Sequence, residues 1–256
     1  MTLRPSRRIA YGDHPDQCGD LHLPTGVGPW PVVILIHGGF WKVPWDRALM
    51  TPPAGDLAAR GIAAWNIEYR RLGQEGGGWP GTFDDVAAAA DAVLELDDID
   101  STRVATVGHS AGGHLALWLA ARGRIAPGQP GASPRLHPRA AVSLAGVADL
   151  ARGAADNLDD GACAALLGGR PGEVPERYAA ASPVELLPLG TPVLLVHGGA
   201  DDIVPPEQSR AFARAATAAG DEVELVELAS ADHFDVIEST HAAWAVVGDR
   251  LARLLT

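Results

Sequence analysis

The chain is short of cysteine, of long apolar runs and of positive charge. Its two cysteines in 256 residues, Cys18 and Cys163, lie far apart with no motif around them. No disulfide framework is expected, and both are read as free thiols of a reducing compartment. No apolar run is long enough to span a bilayer. The N-terminal Met-Thr-Leu-Arg-Pro-Ser-Arg-Arg has charge but no apolar segment after it, so a cytoplasmic protein without a signal peptide is expected. Twenty Lys and Arg against 32 Asp and Glu leave a net charge of −12, which argues against nucleic acid or an anionic membrane as partner. Metal-ligand spacing is missing as well. His109 and His114 do not share a helix face, and the loop at 156–161 offers Leu158 and Leu167 where a calcium loop needs oxygen. Gly76-Gly77-Gly78 matches no phosphate-binding pattern. No metal and no cofactor are expected, and there is no internal repeat.

What is present is a regular alternation. Hydrophobic residues make up 47% of the chain, enough for a large core in one α/β domain spanning 1–256. Short β-branched runs at 32–36, 62–67, 103–107, 140–144, 192–196 and 223–227 read as strands. Alanine-rich helical patterns occupy 46–60, 83–96, 111–122, 206–219 and 240–254. Apolar strands alternating with helices predict a mostly parallel sheet covered on both faces, with ligands bound at the carboxyl ends of the strands. Residues 148–190, rich in Gly, Pro and acidic side chains, read as a small cap-like insertion of short helices able to roof a site. The oligomeric state is not readable, though an exposed edge strand or the final helix offers a surface for a homodimer.

Residues 108–113, Gly-His-Ser-Ala-Gly-Gly, follow directly on the strand at 103–107. A β-branched run, a tight turn on small residues and then a helical pattern is what a nucleophile elbow requires, with Ser110 at its tip and the helix amides offered to a developing negative charge. A serine hydroxyl needs a base within hydrogen-bond reach, and the base needs an orienting carboxylate. In chain order the acid should follow a late strand and the histidine should follow the acid. After the strand at 192–196 stands His-Gly-Gly-Ala-Asp-Asp-Ile-Val-Pro, with Asp201 and Asp202 as candidates; an Asx turn capping the next helix is the structural reading of the same pair. Of nine histidines, His233 alone lies in a loop beyond both the acid and a late strand. His37 and His197 end strands and are expected to bond loop backbone. His241 starts the last helix, and His14, His22 and His137 read as surface. One oxyanion donor should be the amide of Ala111, the residue after the nucleophile; the second should come from the Gly-rich loop His37-Gly38-Gly39-Phe40-Trp41 after an early strand.

These motifs carry resemblances. The segment at 197–205 resembles the His-Gly-x-x-Asp-x-x-Val-Pro run of prolyl-oligopeptidase-type and related esterase hydrolases, which implies that Asp201 is the acid. His-Gly-Gly-Phe-Trp resembles the His-Gly-Gly-x-Trp motif of kynurenine formamidases (arylformamidases), and the likeness continues through Glu68-Tyr69-Arg70, the elbow and Asp232-His233-Phe234. It implies an α/β-hydrolase fold, oxyanion amides at Gly39 and Phe40, and hydrolysis of an aryl formamide such as N-formylkynurenine or of a carboxylic ester. Bacterial carboxylesterases and the acetyl-xylan and feruloyl esterases share much of this grammar, so a general carboxylesterase, an acetyl or feruloyl esterase and a small prolyl-oligopeptidase-like peptidase are the alternatives. A non-catalytic ligand-binding relative is the reading of another class. Trp41 and Trp79, in loops, are expected to join Phe40 in a flat pocket wall beside His109, while Trp65, Trp118 and Trp244 read as core. Glu68 is expected to support the oxyanion loop through a buried ion pair.

Overall fold

A computed structural model describes residues 4–255. Eight strands form one sheet: β1 (Arg7–Ala10), β2 (Cys18–His22), β3 (Trp30–Ile36), β4 (Ala63–Ile67), β5 (Ile99–His109), β6 (Ala140–Leu144), β7 (Val193–Gly198) and β8 (Val223–Leu228). Their order is β1-β2-β4-β3-β5-β6-β7-β8. From β4 to β8 every pairing is parallel, and β1 and β2 add an antiparallel edge. This is the mostly parallel sheet expected. The six strands expected from sequence all form, and β1 and β2 add to them without a sequence signal of their own. Arg-Arg-Ile-Ala and Cys-Gly-Asp-Leu-His have no β-branched alternation; the edge is held by backbone pairing to β4 and by Leu21 in the core. His22 accordingly lies on β2, half-buried, rather than in a surface loop.

The helices are α1 (Thr51–Ala59), α2 (Gly81–Asp91), α3 (Ala111–Ala121), α4 (Leu150–Ala155), α5 (Ala162–Leu167), α6 (Pro175–Ala181), α7 (Glu207–Ala218) and α8 (Ala242–Leu254). The helix expected over 46–60 divides. Asp46 caps a 3-10 turn (Arg47–Met50) by accepting from Ala48 N at 2.8 Å, and α1 begins beyond it, its first turn carrying Pro52 and Pro53 where amide donors are unneeded. The pattern at 83–96 likewise ends as a 3-10 turn (Ala92–Glu95) after α2.

Alternate residues of β3 supply both core layers. Val32, Ile34 and Ile36 pack with Trp65, Phe83 and Trp118 on one face; Val33 and Leu35 pack with Met50, Leu57 and Trp244 on the other. Trp65, Trp118 and Trp244 are fully buried, as expected. Residues 148–190 form α4, α5, α6 and a 3-10 turn (Pro183–Leu186) that lean on the elbow helix: Trp118 Nε1 donates to Ala180 O at 3.0 Å and His114 bonds Ala181 O at 2.9 Å. Cys18 and Cys163 are both buried and unpaired. Among the described residues no helix is long and apolar enough to cross a membrane.

Candidate active site

Ser110 stands alone between the end of β5 and the start of α3, with φ +56° and ψ −119°. That conformation is unfavourable for a residue with a Cβ, by about 1–3 kcal/mol. It is held by Ser110 N donating to Leu144 O at 2.8 Å and by Ser110 O accepting from His114 N at 3.1 Å. The turn closes only without neighbouring side chains: a Cβ on Gly108 would strike the Gly112 carbonyl, and one on Gly112 the Ile36 carbonyl. Ala111 is fully buried at the first position of α3, where amides have no carbonyl one turn back.

Asp201 and His233 come from the loops after β7 and β8. His233 Nδ1 donates to Asp201 Oδ2 at 2.7 Å, while Asp201 Oδ1 accepts from Ile203 N and Val204 N at 2.9 Å each. The Asx turn and the histidine contact thus belong to the same aspartate, one oxygen each; Asp202 is exposed. Burial opposes the charge on Asp201, but hydrogen bonds from His197 and His233 outweigh it and hold the carboxyl well below its usual range. The His233 loop is locked by its own aspartates, Asp232 Oδ1 accepting from Phe234 N and Asp235 N at 2.8 and 2.9 Å. Ala200 N donates to Ala231 O at 3.0 Å and joins the two loops.

His109 ties the elbow to the same loop. Its Nε2 bonds the His233 carbonyl at 2.8 Å and its ring lies 4.6 Å from the His233 ring. Burial pushes His109 down to about 3, so it is neutral across the working range of an ordinary enzyme.

On the other side of Ser110, the loop after β3 turns through Gly39, Phe40 and Trp41 with φ of +105°, +49° and +56°. Three left-handed residues in a row swing the amides away from the strand direction; glycine accepts this without strain, the two aromatics do not. The loop is anchored from below, as expected of Glu68. His37 Nε2 lies 2.8 Å from Glu68 Oε1, Arg47 N donates to Glu68 Oε2 at 3.0 Å, and Arg71 Nη1 lies 3.4 Å from Oε1. Tyr69 Oη donates to His37 O at 2.9 Å and its ring stacks on His37 at 4.4 Å. Burial would raise the Glu68 carboxyl; His37, Arg71 and the Arg47 amide bring it below its usual range.

Gly39, Phe40, His109, Ser110 and His233 line one open-mouthed cavity, bordered further by Trp45, Leu49, Ile203 and Phe234. Two of the aromatic expectations fail. Trp41 is fully buried, edge-on to His114 at 5.2 Å, because its left-handed backbone points the indole into the core. Trp79 packs on Phe83 at 5.2 Å and lines no part of the cavity. The wall is built instead by Trp45 and Phe234, rings 6.2 Å apart and both exposed at the mouth. Trp45 follows the Gly-rich loop and Phe234 stands beside His233, and no periodic pattern distinguishes either. The insertion does not roof the cavity: none of 148–190 lines it, although Lys42 Nζ reaches Asp159 Oδ2 at 2.8 Å. Among the described residues no group of three or more His, Cys, Asp or Glu is set to hold a metal ion.

The BD-FAE family model matches residues 20–215. The chain belongs to the BD-FAE family. Esterase LipC of Mycobacterium tuberculosis is 30% identical over 249 residues, covering 91% of this chain and 60% of that protein. Isoprenylcysteine alpha-carbonyl methylesterase ICME of Arabidopsis thaliana is 28% identical, covering 90% and 56%. The chain therefore spans little more than half the length of these curated relatives. Among solved structures, a truncated carbohydrate esterase from gut microbiota superposes with a TM-score of 0.85 at 21% identity over 99% of this chain and 96% of that one. Esterase 2 of Thermogutta terrifontis gives 0.78 at 22%, over 98% and 93%. At these identities the likeness shows the fold, which is that of the α/β-hydrolases.

Proposed function

We propose that the protein is a serine esterase acting on a carboxylic ester of modest size, of the general carboxylesterase or acetyl-esterase kind. The observation that carries this is the shared cavity: Ser110 on a strained elbow, His233 bound to Asp201, and the left-handed Gly39–Phe40 turn all border one space. In this reading His233, oriented by Asp201, takes the Ser110 proton as Oγ attacks the ester carbonyl. The amides of Gly39, Phe40 and Ala111 receive the oxyanion. The alcohol departs with the proton from His233. Water activated by the same histidine then cleaves the acyl-serine and releases the acid. These steps call for no cofactor.

The family and the names of the relatives, Esterase LipC and the methylesterase ICME, support an ester rather than a formamide as substrate. N-formylkynurenine hydrolysis, the sharpest expectation drawn from the arylformamidase resemblance, rests on that likeness of motifs alone, and the esterase alternative is the better supported. A fluorophosphonate probe should label Ser110, and Ser110→Ala should remove both labelling and turnover of p-nitrophenyl esters while retaining the fold. Labelling elsewhere, or more than a few per cent of activity in the variant, would overturn the proposal. Running N-formylkynurenine and an acetylated sugar beside the ester series ranks the substrates: formamide turnover faster than any ester would restore the first reading.

A further inference from the structure

Behind Asp201 stands a second histidine that the proposed mechanism does not use. His197, the penultimate residue of β7, is fully buried. Its Nε2 lies 2.9 Å from Val204 O and 3.2 Å from Asp201 Oδ2, and its Nδ1 lies 2.7 Å from Ser209 Oγ on α7. Carbonyl and carboxylate are both acceptors, so the proton of a neutral ring sits on Nε2. The Ser209 hydroxyl, free to rotate, must then donate into Nδ1. Asp201 Oδ2 thereby has an imidazole on either side: His233 bonds it at 2.7 Å from the cavity side, and the Nε2–H of His197, bonded to Val204 O, lies 3.2 Å from it on the core side. A donor at Nδ1 polarises the ring and strengthens the Nε2–H bond at the far end.

We infer that Ser209 and His197 are positioning residues that set how strongly Asp201 holds His233. The inference rests on the proposed roles of Ser110, Asp201 and His233. The His197 N–H shared between Val204 O and Asp201 stabilises the carboxylate charge and lowers its pull on the His233 proton. With that donor gone, the carboxylate draws harder on His233 and the imidazole becomes more basic. The other groups facing this pair are His109, neutral and buried, and Asp232, which is exposed and charged. On α7, Glu207 and Arg210 flank Ser209 but pair with Arg214 and Glu227 at the surface.

Four variants of the full chain test this: His197→Leu, His197→Gln, Ser209→Ala and Ser209→Thr. Their kcat and KM for a short p-nitrophenyl ester are followed across pH beside thermal melting. In His197→Leu the acid limb of kcat/KM should move up by about half a pH unit, since one charge-stabilising contact to the carboxylate is lost. KM should hold, because neither residue borders the cavity. His197→Gln, which keeps a donor, and Ser209→Thr, which keeps the hydroxyl, should restore the limb; Ser209→Ala should move it in the same direction by less. Should His197→Leu fail to fold, Ser209→Ala decides, read also through the downfield N–H proton resonance of His233. An unmoved limb and resonance in Ser209→Ala, with only the melting temperature lowered, would leave the pair as packing and overturn the inference. Fluorophosphonate labelling of Ser110 in every variant separates the cases: labelling with a static limb defeats this inference alone, and absence of labelling in the unmodified chain defeats the reading of the site.

Discussion

Two buried carboxylates, each bound to an imidazole, stand on either side of Ser110. Glu68 follows β4 and Asp201 follows β7; in the order β4-β3-β5-β6-β7 each belongs to a strand next but one to the elbow strand. His37 meets Glu68 at 2.8 Å and His233 meets Asp201 at 2.7 Å. In both, hydrogen bonds overcome the burial penalty and hold the carboxyl below its usual range. The difference lies on the far side of each ring. Both nitrogens of His37 are taken up by oxygen acceptors, Glu68 and Gly38 O, and its face is covered by Tyr69. His233 spends Nδ1 on Asp201 and borders the cavity with Ser110. A proton can pass to substrate only from a nitrogen that reaches it. In the proposed mechanism the same carboxylate–imidazole pairing serves as scaffold at one place and as acid–base machinery at the other, according to exposure toward the cavity.

Asp201→Asn should break this comparison most severely. With a neutral amide in place of the carboxylate, the His233 tautomer and orientation are lost, and kcat should drop by about 10³–10⁴ with the circular dichroism spectrum retained. Glu68→Gln should act differently. It leaves His233 untouched but loosens the loop that carries Gly39 and Phe40, so kcat should fall by about 10–100-fold. It also takes the buried charge from beside Arg47 and Arg71, leaving them the half-buried Asp20 and Asp16, at a stability cost of about 2–4 kcal/mol read from urea denaturation. Equal rate losses in the two variants would mean that the division between machinery and scaffold is wrong.

How far these pairs were legible in the sequence follows the same division. Ser110, Asp201 and His233 could be picked out because chain order and strand ends constrain them, and the strands themselves announce their ends by apolar runs. Glu68 was readable as a support because it leaves a strand beside the Gly-rich loop. Trp41 and Trp45 were not, since the direction of that loop depends on three consecutive left-handed residues, and nothing in Phe40-Trp41 requires a positive φ. His197 was read as bonding loop backbone, which it does through Val204 O; its second contact with Asp201 arises only when the loop folds back over β7. The short helices of 148–190 were legible from composition, but their seat against α3 rather than over the cavity depends on carbonyls of Ala180 and Ala181 that any sequence would carry.

Acidification sharpens the comparison with the smallest effect, because here the two pairs should behave alike. Glu68 and Asp201 both titrate lower in the folded chain than in the unfolded one. As pH falls below about 5 the unfolded chain takes up protons that the folded chain still refuses, so stability is full above that range and drains away as pH drops toward the folded values. Removing either carboxylate removes its share of that dependence. Urea denaturation of Glu68→Gln between pH 6 and 3 should therefore show a lower starting stability but a shallower decline than the unmodified chain, and Asp201→Asn should show the same flattening. The neutral histidines add nothing opposing it: His109, down at about 3, and His114, down at about 4, bind protons in the unfolded chain first and deepen the loss of the folded state on the acid side. A decline in Glu68→Gln as steep as in the unmodified chain would mean that Glu68 is not held charged by His37 and Arg71. The likeness between the two pairs would then stop at their geometry.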